Sequence, residues 1–152
     1  MSYSAAEARK QLLDTTAQAI DELGLALASL TEAYEMLDEN TADQLEQGLF
    51  RPVQRAYGRA KRTHAEFAER HGLPGRDFEP PAPGAPSRGA RGFIDAAVQA
   101  AGSADTTLAT LQDSMLPVEV GDAELRAGLG EVRALLGGVG PRAHELLRTL
   151  GR

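Results

Sequence analysis

The segment LDTTAQAIDELGLALASLTEAYEML, residues 13–37, decides the fold class of this chain. Its apolar side chains recur at alternating intervals of three and four residues, which places them on one stripe of an α-helix. Such a stripe is stable only when it packs against other helices. The members of the stripe are Leu13, Thr16, Ile20, Leu23, Leu27, Leu30, Tyr34 and Leu37.

Three later segments, 53–71, 94–115 and 125–150, carry apolar stripes of the same spacing. A sustained strand-like alternation of apolar and polar residues is absent from the sequence. A chain of 152 residues is long enough to bury one core as a single domain. The sequence therefore predicts an all-α fold, a four-helix bundle in one domain.

Capping residues and prolines divide the chain into two helical hairpins and a linker. Ser4, Thr41 and Asp122 are predicted N-caps. The linker holds five of the eight prolines, and Phe78 is expected to anchor it on the bundle. The predicted parts are hairpin 1 (4–72), the Pro-rich linker (73–89) and hairpin 2 (90–151), with helices at about 5–38, 41–71, 90–116 and 122–150.

Net charge predicts how the four helices pair. The first and third helical segments are acidic, and the second and fourth are basic, within a chain of net charge −6. An up-down-up-down order gives every helix neighbours of opposite sign, so we expect that order. The linker leaves two alternatives open: it could return the third helix to the other end of the bundle, or let hairpins swap between protomers.

Two helices contain features that should bend them. Gly48 precedes Pro52 by four residues, and Gly137 precedes Pro141 by the same interval. Proline removes a backbone donor and crowds the carbonyl four residues earlier, so both helices are expected to bend. The bends are either curvature around the core or hinges, and residues 140–142 could also open an anion site at a helix start.

Small residues predict a close approach between the third and fourth helices. The alternative is that they leave an internal cavity for an apolar ligand. The two facing rows are Ala97, Ala101 and Ala104 on the third helix and Gly130, Ala134 and Gly138 on the fourth.

Four side chains form the candidate metal site. If the second and fourth helices run parallel, His64 and His144 lie at one height, and antiparallel pairing brings Asp14 and Asp95 to that level. Imidazole and carboxylate are usual ligands of Zn, Mn and Fe, so this layer could hold a divalent metal. The alternative is that these histidines belong to the core or its rim. Beyond such a metal, no cofactor is predicted.

A row of arginines on the second helix has two possible roles, phosphate binding or ion pairing within the chain. Rows of this kind can bind phosphates. A matching acidic row on the first helix predicts an intramolecular charge ladder instead, and so no nucleic-acid partner. The rows are Arg51, Arg55, Arg59 and Arg62 against Asp14, Asp21, Glu32 and Glu35.

No catalytic motif stands out, and the absence of cysteine excludes thiol catalysis and Cys-ligated metals. No apolar run is long enough to span a bilayer, so we expect no membrane partner and a cytoplasmic location. The leading prediction is a non-enzymatic bundle that acts by protein–protein interaction or self-association. The alternative is a bundle that binds a small molecule or metal through inward-facing His and Asp residues.

Overall fold

The computed structural model describes residues 4–84 and 89–150, and these residues contain helices but no strand. The predicted all-α class is confirmed. A π-helical turn, Glu46–Phe50, joins α2 directly to α3. The helices are α1 (Ala5–Glu35), α2 (Glu39–Leu45), α3 (Arg51–Arg70), α4 (Gly89–Asp113), α5 (Leu116–Glu119), α6 (Ala123–Leu136) and α7 (Val139–Leu150).

Side-chain caps begin three of these helices. Ser4 Oγ accepts a backbone hydrogen bond of 3.0 Å from the first turn of α1, and Asp122 accepts one of 2.8 Å from Leu125. Asp38, rather than the predicted Thr41, caps α2, because Asp38 Oδ1 accepts the N–H of Thr41 at 2.8 Å. Aspartate is the stronger N-cap, so the second helix starts earlier than predicted.

The helices pack as a four-sided bundle around one apolar core. α1 makes its most extensive contact with α4, and α3 makes its most extensive contact with α6. Contacts of α1 with α3, and of α4 with α6 and α7, close the two remaining sides. The largest fully buried side chains include Leu12, Ile20, Phe67, Phe93 and Leu108.

The direction of α4 differs from the up-down-up-down order. Arg9 near the start of α1 donates to the carbonyl of Val120, beyond the end of α4. Further along α1, Glu22 accepts a hydrogen bond from Thr107, which lies earlier in α4. α4 is therefore antiparallel to α1 and runs in the same direction as α3. This is the first alternative that the linker left open.

A strap, which we define as residues 73–81, crosses the groove between α1 and α3. Leu73 and Phe78 pack against the core, so the predicted anchoring role of Phe78 is confirmed. The Arg76 guanidinium binds both carboxylate oxygens of Asp21 on α1, at 3.0 and 3.1 Å. Further along, Pro80 lies over Gly24, where a Cβ atom would be 3.4 Å from the Pro80 Cα. The strap thus leads back along α1, which explains the direction of α4.

The predicted pairing of oppositely charged helices is wrong for the most extensive contact, which joins α1 and α4, both acidic. Exposed ion pairs are worth only about 0–1 kcal/mol each, whereas a buried interface excludes water along its whole length. The predicted alanine row on α4 is buried, but its expected partners Gly130 and Ala134 are exposed on α6. The close approach to α3 occurs instead at Gly128, where a Cβ atom would overlap the Thr63 side chain.

The regular α-helix is interrupted at both predicted positions, each time by a different kind of break. Pro52 lacks a backbone donor, and the helix before it widens so that the Arg51 N–H reaches the carbonyl of Glu46, five residues earlier. In the second case a turn at residues 137–138 separates α6 from α7. The apolar stripe continues across this turn, because Leu136 and Val139 are both buried.

Candidate functional site

The strap and the groove beneath it form the candidate site. A cleft of about 620 Å³ lies where the strap leaves the end of α3. One helical face, one buried histidine and the first strap residues line it: Lys10, Leu13, Asp14, Ala17, Gln18, Asp21 and His64, with Leu73, Pro74, Gly75 and Arg76.

His64 is the polar group at the inner wall of this cleft. Its side chain is 4% exposed, and its ring meets the Phe78 ring edge to face at a centroid distance of 5.2 Å. Its Nδ1 atom is buried without a hydrogen-bond partner among the described residues. A buried polar group left unpaired costs about 1–3 kcal/mol. Among the residues that line the cleft, His64 is therefore the one where a hydrogen-bond partner would contribute most.

Burial lowers the pKa of His64 below its ordinary value. The nearby Arg76 guanidinium lowers the pKa further, and Asp14 opposes both effects. The imidazole is therefore neutral at pH 7. A neutral imidazole nitrogen either donates or accepts one hydrogen bond, depending on the tautomer.

Tyr57 supplies a second unpaired polar atom one heptad earlier on α3. Its hydroxyl is buried without a hydrogen-bond partner in the described structure, and its ring lies 4.4 Å from the Lys61 ammonium. Burial raises the Tyr57 pKa, and the charges of Asp21 and Glu79 raise it further. A second cleft of about 340 Å³ includes Tyr57 and Pro80. The strap therefore has one cleft and one unpaired polar atom at each of two positions along the groove.

The rim of the larger cleft carries balanced charges. Lys10 binds Asp14 at 2.8 Å, and Arg76 of the strap binds Asp21. The remaining wall includes Leu13, Ala17, Leu73 and Pro74, which are mainly apolar. With His64 neutral, this site is suited to a neutral molecule.

The four residues of the candidate metal layer do not come together. His64 and Asp14 line the same cleft, but His144 and Asp95 are exposed elsewhere on the bundle. α3 and α6 are antiparallel, and His144 lies sixteen residues beyond Gly128, which contacts the residue before His64. At 1.5 Å per residue, this separates the two histidines by about 24 Å. Within residues 4–84 and 89–150, no three His, Cys, Asp or Glu side chains are grouped to hold a metal ion.

The third histidine has a structural role at the end of α3. His71 Nε2 lies 3.0 Å from Asp122 Oδ2, and Arg70 donates to both Asp122 oxygens at 2.8 Å. Burial would raise the pKa of Asp122, but hydrogen bonds from Arg70, the Leu125 N–H and His71 outweigh it and lower that pKa. This N-cap of α6 therefore also fixes α6 to the end of α3.

The predicted charge ladder between the first two helices does not form. Asp14 pairs with Lys10 on its own helix, and Asp21 pairs with the strap. In the arginine row, Arg59 binds Glu131 of α6, and Arg51 binds Glu46 of the π turn. The arginine row turns away from α1 because α3 presents that face to α6.

Sequence reasoning missed Tyr57 as a site residue and missed the course of the strap. A signal for Tyr57 was present, because Tyr57 and His64 occupy inward positions of one stripe, where a polar atom needs a partner.

No family model, curated protein or solved structure matches the chain. Among the described helices, none is both long and apolar enough to cross a membrane. Fold and site together define a helical bundle with a strapped groove.

Proposed function

We propose that this protein is a binding protein that holds a small, neutral, mostly apolar molecule in the cleft beside His64. The observation that carries the proposal is that His64 lines the cleft while its Nδ1 atom is buried without a hydrogen-bond partner among the described residues. A ligand hydroxyl, amide or carbonyl would pair this atom, and the apolar wall would cover the rest of the ligand. The volume of about 620 Å³ lies within the range of small-molecule sites.

The strap gives this site a wall that can move. It has no secondary structure, and most of its residues are exposed. Its first residue is fixed to the end of α3, because the Leu73 N–H donates to the Ala68 carbonyl and the Leu73 side chain packs against the core. Its main contacts further along are the Arg76–Asp21 ion pair, Phe78 on His64, and Pro80 on Gly24. Segments with few buried contacts open at low cost, so a ligand can enter without disturbing the four helices.

The test is a screen of neutral fragments against ¹⁵N-labelled protein by NMR. We expect hits whose chemical-shift changes are centred on Ala17, Gln18 and Gly75. These hits should be lost in His64→Phe, which removes the ring nitrogens. They should be retained in His144→Phe, the matched control at an exposed position. Hits that avoid the cleft, or that bind His64→Phe equally well, would contradict the proposal.

Protein–protein interaction or self-association stays a prediction, and one surface favours it. Met115 and Val118, in the connection between α4 and α6, are 49% and 56% exposed. The connection is held in place by Arg9, which donates to the Val120 carbonyl, and by Arg126, which donates to the Pro117 carbonyl. A rigid, exposed apolar tip is suited to a partner.

Sedimentation velocity tests this second candidate. If the tip mediates self-association, the wild type should show a concentration-dependent rise in sedimentation coefficient that Met115→Ser/Val118→Ser abolishes. An identical, concentration-independent coefficient for both proteins would exclude self-association through this tip.

A further inference from the structure

The two helix breaks lie against each other and form a third cleft. The π turn, Glu46–Phe50, contacts α7 just after the turn that separates α6 from α7. A cleft of about 320 Å³ opens between them, on the side of the bundle where α3 faces α6. Three arginines line it, Arg51, Arg55 and Arg142, together with Gln47 and Gly138.

Two glycines lie against the Arg142 side chain. A Cβ atom at Gly138 would lie 2.8 Å from the Arg142 Cζ atom, so only glycine leaves room for the guanidinium there. A Cβ atom at Gly48, in the π turn, would lie 3.6 Å from the Arg142 Cδ atom, an ordinary van der Waals contact. The Arg142 side chain therefore lies between two glycines, one from each helix break.

The positive charge in this cleft is only partly neutralised. Arg51 binds Glu46 at 3.2 Å, but neither Arg55 nor Arg142 has an ion-pair partner in residues 4–84 and 89–150. The nearby Glu145 is engaged with Arg148 at 3.1 Å. In a chain of net charge −6, this cleft carries an excess of two positive charges, counting three arginines against Glu46.

The start of α7 adds backbone donors to the arginines. The first N–H groups of an α-helix have no intrahelical acceptor, and the helix dipole favours an anion at that end. Gly138 lines the cleft and is followed directly by the first residue of α7. Guanidinium groups and free backbone N–H groups are the donors that bind phosphate in proteins.

We propose that this cleft binds the phosphate group of a small phosphorylated molecule, with Arg55 and Arg142 as its main ligands. The charge-ladder explanation of the arginine row does not hold in the structure. Two of the arginines that line the cleft have no ion-pair partner in the part of the chain that the structure describes. A cleft of about 320 Å³ can hold one phosphate group, whereas a nucleic acid presents repeated phosphates over a longer surface. The site is independent of the His64 cleft, on another side of α3.

The test uses inorganic phosphate as the probe and ¹⁵N-labelled protein, at pH 7.5 and constant ionic strength maintained with sodium chloride. We expect saturable shifts at the amides of Gly138 and Val139. Arg142→Gln should weaken binding about tenfold, as expected for losing a charged hydrogen bond. Arg62→Gln, an exposed arginine of the same helix row outside the cleft, should bind phosphate like the wild type.

Gly138→Ala provides a second variant that keeps every charge. Its methyl group would displace the Arg142 guanidinium, so phosphate binding should weaken while helicity is maintained. Shifts that do not saturate, or that are equal in Arg142→Gln and wild type, would overturn the proposal. A DNA duplex that binds more tightly than phosphate and is weakened equally by Arg62→Gln would also overturn it, in favour of a nucleic-acid surface.

Discussion

Alanine substitution at two glycines of α6 tests the packing of the bundle. Gly128 is buried against α3, and a Cβ atom there would overlap the Thr63 hydroxyl oxygen and lie 2.8 Å from the Thr63 Cγ2. Gly130, two residues later in the same helix, is exposed, and a Cβ atom there would have nothing within 4 Å. Glycine-to-alanine substitution therefore adds a methyl group to a filled contact at Gly128 and to open space at Gly130.

The magnitudes follow from two effects with opposite signs. Replacing glycine by alanine inside a helix contributes about 1 kcal/mol of stability at either position. Overpacking a well-filled contact costs about 1–3 kcal/mol, and the overlap with Thr63 places Gly128 at the upper end of that range. We expect Gly130→Ala to raise the free energy of unfolding by about 1 kcal/mol and Gly128→Ala to lower it by about 1–2 kcal/mol.

Urea denaturation followed by circular dichroism at 222 nm measures both changes. Thr63→Ala removes the overlapping atoms, so the Gly128→Ala/Thr63→Ala double variant should be more stable than the sum of the two single effects predicts. If Gly128→Ala proved as stabilising as Gly130→Ala, α3 and α6 would not pack at this point, and the helix arrangement would be wrong.

Three further predictions concern the strap and its surroundings. The pKa of His64 is lower in the folded state than its ordinary value of 6.5, so the contribution of His64 to stability is complete above pH 6.5. In urea denaturation at a series of pH values, the free energy of unfolding should fall as pH drops below 6.5, by at most about 1.4 kcal/mol per pH unit. His64→Phe should lack this component. Asp122→Ala loses an N-cap and its side-chain hydrogen bonds with Arg70 and His71, so its free energy of unfolding in urea denaturation should fall by about 2 kcal/mol. Phe78→Ala should speed trypsin cleavage after Arg76 without lowering the free energy of unfolding of the helices by more than about 2 kcal/mol. Unchanged cleavage would mean that Phe78 does not hold the strap.

The helical stripes were predictable because burial on one face imposes a period on the sequence. In the fourth segment, Leu125, Leu129, Val132 and Leu136 are buried as their spacing predicts, and the stripe continues into α7. Proline and glycine also predicted where helices bend, since their backbone chemistry acts locally. The type of break was not predictable, because a π turn and an open turn each accommodate a proline that has no backbone N–H to donate.

The direction of α4 was not predictable from helix charge. The strap decides it, through Phe78 and Pro80, which contact residues far away in the chain. Single exposed ion pairs contribute too little free energy to override such contacts. Charge patterning therefore favoured the wrong neighbours.

The candidate site was predictable only in part. His64 lies on an inward position of its stripe, and its burial follows from that position. Its predicted relation to His144 failed because it depended on the relative direction of two helices. The cleft itself is formed by residues 73–76 of the strap, and no period in the sequence specifies where a proline-rich segment lies.

The most direct test of ligand binding at His64 is native mass spectrometry of the wild type and His64→Phe, purified untagged and side by side from the same cells. We expect an additional small-molecule mass on the wild type that is absent from His64→Phe and present on His144→Phe. Identical bare-chain masses for all three proteins, or an adduct retained by His64→Phe, would contradict it.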